Sequence, residues 1–278
     1  MFFKMFLRSF FIQAGWNYER FQNLGFAFCL QPALEKIYPD RAKLKAAMLR
    51  HLQIFNTQPY MASFVLGNVA SIEEKAAAGP DQEACLKTMP GVKQALASSF
   101  ASIGDRIFWG RLKPMTAQVC LLVWAAGGFY GWLFTGLNTK VSVWLLMAGP
   151  VAGIVFYSAF AVHWRWYGLK SGYVCGGSAS CGLDSANWPR LIRVLSTAGF
   201  LMSVAIALTA FGMLAALNYN SGRPGDVFLR IALPVGVLAL HRITRALGKS
   251  VFFAAGLVLA FSVLLFSVFG MRPFRLYI

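Results

Sequence analysis

Long apolar runs dominate the second half of the chain. Four of them contain no Asp, Glu, Lys, Arg or His: residues 119–136, 141–162, 194–219 and 251–271. At about 1.5 Å per residue, each is long enough to cross or nearly cross a hydrocarbon core of about 30 Å. A continuous helix satisfies its own backbone hydrogen bonds in that core. The pattern therefore predicts membrane-spanning helices in residues 118–278.

A fifth apolar segment, residues 231–240, leaves the number of spans at four or five. It is too short to span alone, unless the flanking Arg230 and His241 reach the interface or face partner protein. Five spans would place the C-terminus outside, and four would place it inside. Arg272 and Arg275 favour four spans. The alternation of charged loops favours five, which is the number we adopt.

In residues 1–117, apolar residues recur at helical spacing and leave the other face of each helix polar. Residues 1–13 carry Phe on one side and cations on the other, which predicts an amphipathic helix on the membrane surface. Apolar residues then recur over 10–28 and predict one long amphipathic helix that ends near Pro32 and Pro39. The rest of the region predicts, in order, a helix over 41–55, a break at Pro59, a helix over 61–78, a polar loop over 79–91 and a shorter segment up to Pro114.

Composition and charge agree with a membrane protein. The chain is 58% hydrophobic and 13% charged, whereas soluble domains have roughly a quarter of their residues charged. The formal net charge is +16, and the cations cluster before the first long run and between the second and third. Such clusters mark cytoplasmic segments near an anionic leaflet. We therefore expect a cytoplasmic N-terminus, contact with membrane lipid and no nucleic-acid partner.

Little in the sequence indicates catalysis or a metal site. The five cysteines are Cys29, Cys85, Cys120, Cys175 and Cys181, and they form no CxxC pair. Free thiols are expected, with a disulfide or metal at Cys175 and Cys181 as the alternative. His51 has no carboxylate nearby in sequence to orient it, which favours a structural or interfacial histidine. We expect no catalytic residue, metal or cofactor.

Several ordered motifs resemble one family. They are QAGWNYERFQ at 13–22, GFAF at 25–28, RHLQIFNTQP at 50–59, SIEE at 71–74 and IGDRIFWG at 103–110. These motifs resemble those of the IID subunits of mannose/fructose/sorbose phosphotransferase systems, and Gly172-Tyr173 echoes a later loop of that family. Two positions depart from its usual pattern: Gln58 stands in place of His, and Arg106 stands in place of Pro.

The resemblance implies a fold and a role. The fold is an all-α integral membrane protein of the bacterial inner membrane, in which an amphipathic and re-entrant helical region, residues 1–117, precedes four to five transmembrane helices in 118–278. Such a subunit pairs with a IIC membrane subunit, in a trimer of IIC–IID pairs, to form the pathway for a hexose. Soluble IIA and IIB components carry the phosphoryl group and phosphorylate the sugar. The two departures motivate an alternative, a diverged paralogue that acts as a regulatory or assembly scaffold.

Sugar recognition needs amides and carboxylates that bond hydroxyl groups, together with aromatic rings. In the motifs and just before the SIEE motif, the candidates for substrate binding are Asn17, Glu19, Asn56, Thr57, Gln58, Asn68, Glu73, Glu74, Asp105 and Trp109. The alternative for Glu19 and Asp105 is neutralisation of the adjacent arginines. The cations Arg106, Arg111 and Lys113 could dock the IIB component or attract sugar phosphate, or could set topology alone.

Overall fold

The computed structural model of the chain describes residues 1–80, 82–135, 143–177, 180, 182–184, 186–220, 224–248 and 250–268. Over these residues the regular structure is helical, and two isolated β-bridges join Asn17 to Phe21 and Phe21 to Phe55. The prediction of an all-α fold is confirmed.

Ten α-helices and one π-helical segment make up this structure within the described residues. They are α1 Phe2–Ser9, α2 Asn23–Ile37, α3 Arg41–Arg50, α4 Ala62–Ala78, α5 Gln82–Gly104, the π-segment Asp105–Leu112, α6 Lys113–Thr135, α7 Val143–Val174, α8 Trp188–Asn220, α9 Pro224–Ala246 and α10 Val251–Val268. The chain forms two compact units, Met1–Ile206 and Ala207–Ile278. Every contact analysed below lies within the first unit.

The single helix predicted over residues 10–28 is wrong, because a loop over 10–22 separates α1 from α2. Phe21 has φ 56°, a left-handed conformation that is uncommon for a residue with a bulky side chain. Asn17 Oδ1 accepts a hydrogen bond from the backbone N–H of Arg20 at 2.8 Å. Such bonds between an Asn side chain and nearby backbone compete with helix formation, so the chain turns here.

Pro32 does not end a helix as predicted, since it lies inside α2, which continues to Ile37. A proline in a helix leaves the carbonyl four residues earlier without its usual donor. Here that carbonyl belongs to Phe28, and Arg8 Nη1 donates to it at 2.9 Å from α1. The arginine therefore compensates for the missing backbone hydrogen bond.

Two other predicted boundaries are wrong. The helix predicted over 41–55 ends at Arg50, because the chain beyond it leaves to pair with the loop over 10–22: the Gln22 N–H donates to the Phe55 carbonyl at 2.9 Å. The polar loop predicted over 79–91 is largely helix, since α5 begins at Gln82 and contains Pro90. The segment begins with good helix formers such as Gln, Glu, Ala and Leu, whose propensities outweigh one interior proline.

Five helices, α6 to α10, follow the N-terminal region in the described residues. Among those residues, Leu146–Val174 and Trp188–Met213 are long and apolar enough to cross a membrane, and Phe252–Leu264 is a shorter apolar stretch. The segment 231–240 belongs to α9, which has 23 residues and thus a length of about 34 Å. The helix is thus long enough to span, but its apolar part is still the ten residues 231–240 between Arg230 and His241, so the number of spans stays at four or five.

Helix α4 is the buried centre of the first unit. Residues 62–73 of α4 are all buried, so this stretch has no free face. A helix that is enclosed on all sides must be apolar or have its polar groups bonded. Most of its residues satisfy the first condition and Glu73 satisfies the second, whereas the Ser63 hydroxyl has no hydrogen-bond partner among the described residues.

Glycines let the backbones of α4 and α7 touch. A Cβ added at Gly67 would lie 2.2 Å from the Leu169 carbonyl oxygen, and one added at Gly172 would lie 2.1 Å from the Phe64 carbonyl oxygen. Neither position has room for a side chain, because the obstacle is backbone. Small residues at a crossing allow this close approach between helices. Glycine at both positions is therefore required for the α4–α7 contact.

We expect Gly172→Ala to destabilise the protein by about 1–3 kcal/mol, because the added methyl group forces the α4 and α7 backbones apart. Gly212→Ala in α8 is the matched control, since an added Cβ there meets nothing within 4 Å. That control should be neutral or stabilising by up to about 1 kcal/mol. Thermal unfolding in detergent measures both. Equal midpoints for the two variants would contradict the crossing.

Candidate functional site

The N-terminal motifs meet around residues 50–59, here called the central segment. Its Phe55 pairs with the first motif through the Gln22 N–H. Its Arg50 and His51 bind Glu73 of the SIEE motif. A Cβ added at Gly104, in the last motif, would lie 2.6 Å from Gln58 Cβ. The structure thus brings four sequence motifs together at one place.

Glu73 is the buried charge of this region, with no exposed surface. Arg50 donates to both of its oxygens, Nε to Oε1 and Nη2 to Oε2, each at 3.0 Å. His51 Nε2 lies 2.8 Å from Oε1, and the Tyr38 hydroxyl donates to Oε2 at 2.8 Å. Bidentate pairing with arginine is the strong form of such an interaction. Both carboxylate oxygens are therefore occupied by protein donors.

The protonation states in this cluster follow from its geometry. Burial alone would raise the pKa of Glu73, but the hydrogen bonds from His51 and Arg50 outweigh it and lower that pKa to about 2. Burial lowers the pKa of His51 below its usual 6.5. Burial and the bond to Glu73 raise the pKa of the Tyr38 hydroxyl. The cluster therefore holds a carboxylate, an arginine cation and a neutral histidine whose Nε2–H donates.

Thr57 and Gln58 are buried within the central segment. Gln22 pairs with Thr57 at both backbone groups: its Nε2 donates to the carbonyl at 2.9 Å and its Oε1 accepts from the N–H at 3.2 Å. The Thr57 hydroxyl donates to the Ala97 carbonyl at 2.8 Å. Gln58 Oε1 accepts from the Tyr60 N–H at 2.7 Å, while Gln58 Nε2 has no hydrogen-bond partner among the described residues. This amide is a buried donor with unused capacity.

Asn17, Glu19 and Asn56 lie at the surface of the same region. Asn17 Nδ2 donates to Asn23 Oδ1 at 2.9 Å, and Asn23 in turn donates to the Leu52 carbonyl at 2.8 Å. Glu19 and Asn56 are exposed, and no ion pair joins Glu19 to Arg20 within the part of the chain that the structure describes. The exposed side chains of Glu19 and Asn56 are accessible to a ligand.

The other candidates are separated from this group. Asn68 is fully buried on α4, and Glu74 is exposed and accepts a hydrogen bond from the Tyr173 hydroxyl of α7. Asp105 and Trp109 are exposed on the π-segment. Partial burial of its carboxyl group raises the pKa of Asp105. π-Helical turns occur often at functional sites, although here the segment also joins α5 to α6 without a break.

Two buried cations were missed by sequence reasoning. Lys93 is 5% exposed, its Nζ lies 4.2 Å from the Phe26 ring centre, and burial lowers its pKa to about 8. In the sequence it is one of many cations that precede the first long apolar run, and nothing there distinguishes it from the exposed ones. Arg165 was counted as a loop cation, yet it lies buried in α7 and donates to the carbonyls of Ser9 and Pro59. Its apolar neighbours in sequence were the available signal.

We expect Glu73→Gln to destabilise the protein by about 3–5 kcal/mol, because Arg50 is left half-buried beside a neutral amide. Glu74→Gln is the control at the next position, and since Glu74 is exposed its effect should stay within about 0.5 kcal/mol. Thermal unfolding in detergent provides the measurement. A small effect of Glu73→Gln would show that the cluster is not important for stability.

The lowered pKa of His51 predicts that the protein loses stability in acid. Because its folded-state pKa lies below 6.5, only the unfolded chain gains this proton just below pH 6.5, and stability falls as pH falls. His51→Gln keeps a donor for Glu73 but does not titrate, so its stability should depend less on pH between about pH 5 and pH 6.5. Unfolding midpoints measured over this range test the idea, and an unchanged slope in the variant would refute it.

Known proteins with similar sequences are sugar phosphotransferase components. The chain is 32% identical over 246 residues to the mannose-specific EIID component of Escherichia coli K12, covering 88% of this chain and 72% of that protein. It is 32% identical over 205 residues to the sorbose-specific EIID component of Klebsiella pneumoniae, covering 73% and 67%. It is 32% identical over 174 residues to the fructose permease IID component of Bacillus subtilis, covering 63% and 56%.

Solved structures agree with these relatives. A cryo-EM structure of the mannose transporter ManYZ in complex with microcin E492 matches with a TM-score of 0.51 and 30% identity, over 74% of this chain and 68% of that one. A second structure, of a membrane protein, matches with a TM-score of 0.56 and 30% identity. The likeness is to membrane proteins, as the apolar helices predict.

The family model that matches describes the IID component of the mannose/fructose/sorbose family of the PTS, the phosphotransferase system, and it covers residues 1–227. This range includes the central segment, the Glu73 cluster, the π-segment and α4 to α8. The chain therefore belongs to the IID components of the mannose/fructose/sorbose family of sugar phosphotransferase systems.

Proposed function

We propose that this chain is a non-catalytic permease subunit that forms, with a IIC subunit, the uptake pathway for a hexose. The soluble IIA and IIB components supply the phosphoryl group, and IIB phosphorylates the arriving sugar. The complex is a trimer of IIC–IID pairs in the bacterial inner membrane. Residues 118–278 are the spanning part, and the N-terminus lies in the cytoplasm. The named relatives, which are mannose, sorbose and fructose components, support this proposal.

The central segment is the observation that carries the proposal. It is a non-helical stretch between α3 and α4, held by the Glu73 cluster on one side and by Gln22 on the other. Transporter sites often use such breaks, where backbone and amide groups are available to a ligand. Asn56 presents an exposed amide there, and Gln58 Nε2 lacks a partner among the described residues. These are the kinds of donors and acceptors that bond sugar hydroxyls.

The candidate residues divide into two groups by their present partners. Asn56, Gln58, Asn17 and Glu19 lie in or beside the central segment, and we propose that they contact the sugar. Glu73 would have to give up a protein donor to do so, because four hydrogen bonds already occupy its oxygens. The proposed role in sugar binding also covers the remaining candidates: Thr57, Asn68, Glu74, Asp105 and Trp109.

The starts of α6 and α8 support a cytoplasmic N-terminus. Arg111 Nε donates to Ser196 Oγ at 2.8 Å, and further along both helices Gln118 Nε2 donates to Ser203 Oγ at 2.7 Å. The two helices therefore run parallel and begin on the same side. Cations concentrate at that side, with Arg106 before α6 and Arg190 and Arg193 early in α8. A concentration of this kind marks the cytoplasmic face.

The scaffold alternative rests on the position of Gln58. Its side chain is 2% exposed, and its Oε1 already accepts from the Tyr60 backbone. A glutamine where the family usually has histidine preserves hydrogen bonding but removes titration. If transport needs a titrating group at this position, the chain keeps the fold and loses uptake. Neighbouring genes for the IIA, IIB and IIC components would argue against this alternative.

Uptake of labelled hexoses tests the proposal. Cells that lack their own mannose system would express this chain with its IIA, IIB and IIC partners, and phosphorylated sugar should accumulate only when the chain is present. Asn56→Ala should lower uptake about tenfold, because it removes one or two hydrogen bonds to a hydroxyl. Gln53→Ala is the matched control, an exposed amide in the same segment, and it should leave uptake unchanged.

Two other outcomes have clear meanings. If a complex assembles and inserts but no hexose or amino-hexose accumulates, the scaffold alternative is correct. If uptake occurs and both substitutions leave it unchanged, the permease role stands and the central segment does not bind the sugar.

A further inference from the structure

A groove runs along the outside of the first unit between α6 and α7. Its volume is about 600 Å³, within the range of roughly 300–1,000 Å³ that small-molecule sites occupy. One wall follows α6 from Lys113 to Cys120, a rise of about 10 Å, and the other follows α7 from Pro150 to Ser158. Tyr60 and Trp109 close the end near the start of α6.

The lining is suited to a lipid chain rather than to a sugar. The floor is apolar, since it includes Ala117, Cys120, Pro150 and Ile154. Its polar groups are hydroxyls and one ammonium group. Amides and carboxylates, which bond sugar hydroxyls in pairs, are absent among the described lining residues. The groove is therefore chemically different from the central segment.

Lys113 supplies the charge at the end of the groove. Its Nζ lies 4.4 Å from the centre of the Trp109 ring, a cation–π contact that uses no N–H donor in a conventional hydrogen bond. Within the part of the chain that the structure describes, no carboxylate pairs with it. Arg106 and Arg111 lie on the π-segment that precedes Lys113, and Arg111 donates to Ser196 of α8. The ammonium group is free to bind an anion.

The position of this charge matches that of a lipid phosphate. Lys113 is the first residue of α6, and residues 119–136 beyond it contain no charged side chain. Lysine and tryptophan at such a boundary lie at the level of lipid headgroups. Basic pockets between spanning helices on the cytoplasmic side bind anionic headgroups. An acyl chain attached to that phosphate would lie in the apolar groove below.

We propose that the α6–α7 groove binds one anionic phospholipid, with its phosphate on Lys113 and an acyl chain along Ala117, Cys120 and Ile154. The competing occupant is a helix of a partner subunit. We favour the lipid for two reasons. The ammonium group at the charged end has no carboxylate partner among the described residues and lies at headgroup depth. The groove below it is apolar and lies on helices that face the bilayer.

Native mass spectrometry tests this proposal on the full chain, together with any partner subunits that co-purify with it. The protein would be placed in nanodiscs of phosphatidylcholine, with or without phosphatidylglycerol, and the retained lipid counted. Lys113→Gln should weaken retention of phosphatidylglycerol about fivefold and leave that of phosphatidylcholine unchanged. Lys170→Gln is the matched control, because Lys170 makes the same contact with Trp166 at 4.6 Å but lies away from the groove.

A second variant tests the apolar part of the groove separately from the charge of Lys113. Ala117 is an exposed residue of the lining, so Ala117→Trp should fill the groove and lower retention of either lipid while the protein stays folded. The proposal is overturned if Lys113→Gln and Lys170→Gln reduce phosphatidylglycerol equally, or if neither reduces it. Loss of an accompanying subunit from Ala117→Trp with lipid retention intact would assign the groove to a partner helix instead.

Discussion

The burial of the Glu73 carboxylate is the constraint on which the rest of the first unit depends. Removing a carboxylate from water costs several kcal/mol, and this cost is offset only when strong partners surround the charge. The partners come from different parts of the chain: Tyr38 follows α2, and Arg50 and His51 end α3. Satisfying one charge thus fixes α2 and α3 against α4. It also fixes the start of the central segment, because Arg50 and His51 are its first two residues.

Close packing extends this arrangement from α4 to the first spanning helices. The Gly67 and Gly172 backbones allow α7 to lie directly on α4, where no side chain could separate them. Arg165 adds a polar contact, because its guanidinium donates to the Ser9 carbonyl at the end of α1 and to the Pro59 carbonyl at the end of the central segment. A charged group at this depth is costly unless it is bonded. The N-terminal motifs are therefore positioned by a helix that itself belongs to the spanning region.

Sequence patterns could predict what depends on short-range periodicity and could not predict what depends on distant partners. Apolar runs and the family motifs were sufficient for the all-α membrane fold and for the family. The loop over 10–22 was missed because it depends on Phe21, a non-glycine residue in a left-handed conformation. His51 is predicted to be structural or interfacial. The structure buries it beside Glu73, a carboxylate 22 residues away that no local pattern reveals. Lys93 was missed because its burial depends on Phe26 and Phe55, which are distant in sequence.

Gln58 and Arg106, the two departures from the family pattern, lie in different environments, so the two substitutions have different effects. Gln58 is buried inside the central segment, so a change there alters the hydrogen-bonding capacity of the region we propose for sugar. Arg106 is exposed on the π-segment, and its carbonyl accepts from Arg111 Nη1 at 2.7 Å. A proline at that position would remove the cation and one backbone donor and would leave this carbonyl in place. Arg106 therefore affects the surface charge of the π-segment, whereas Gln58 affects the chemistry of the central segment. The two departures can therefore be considered separately. Only the one at Gln58 alters groups in the region that we propose for the sugar.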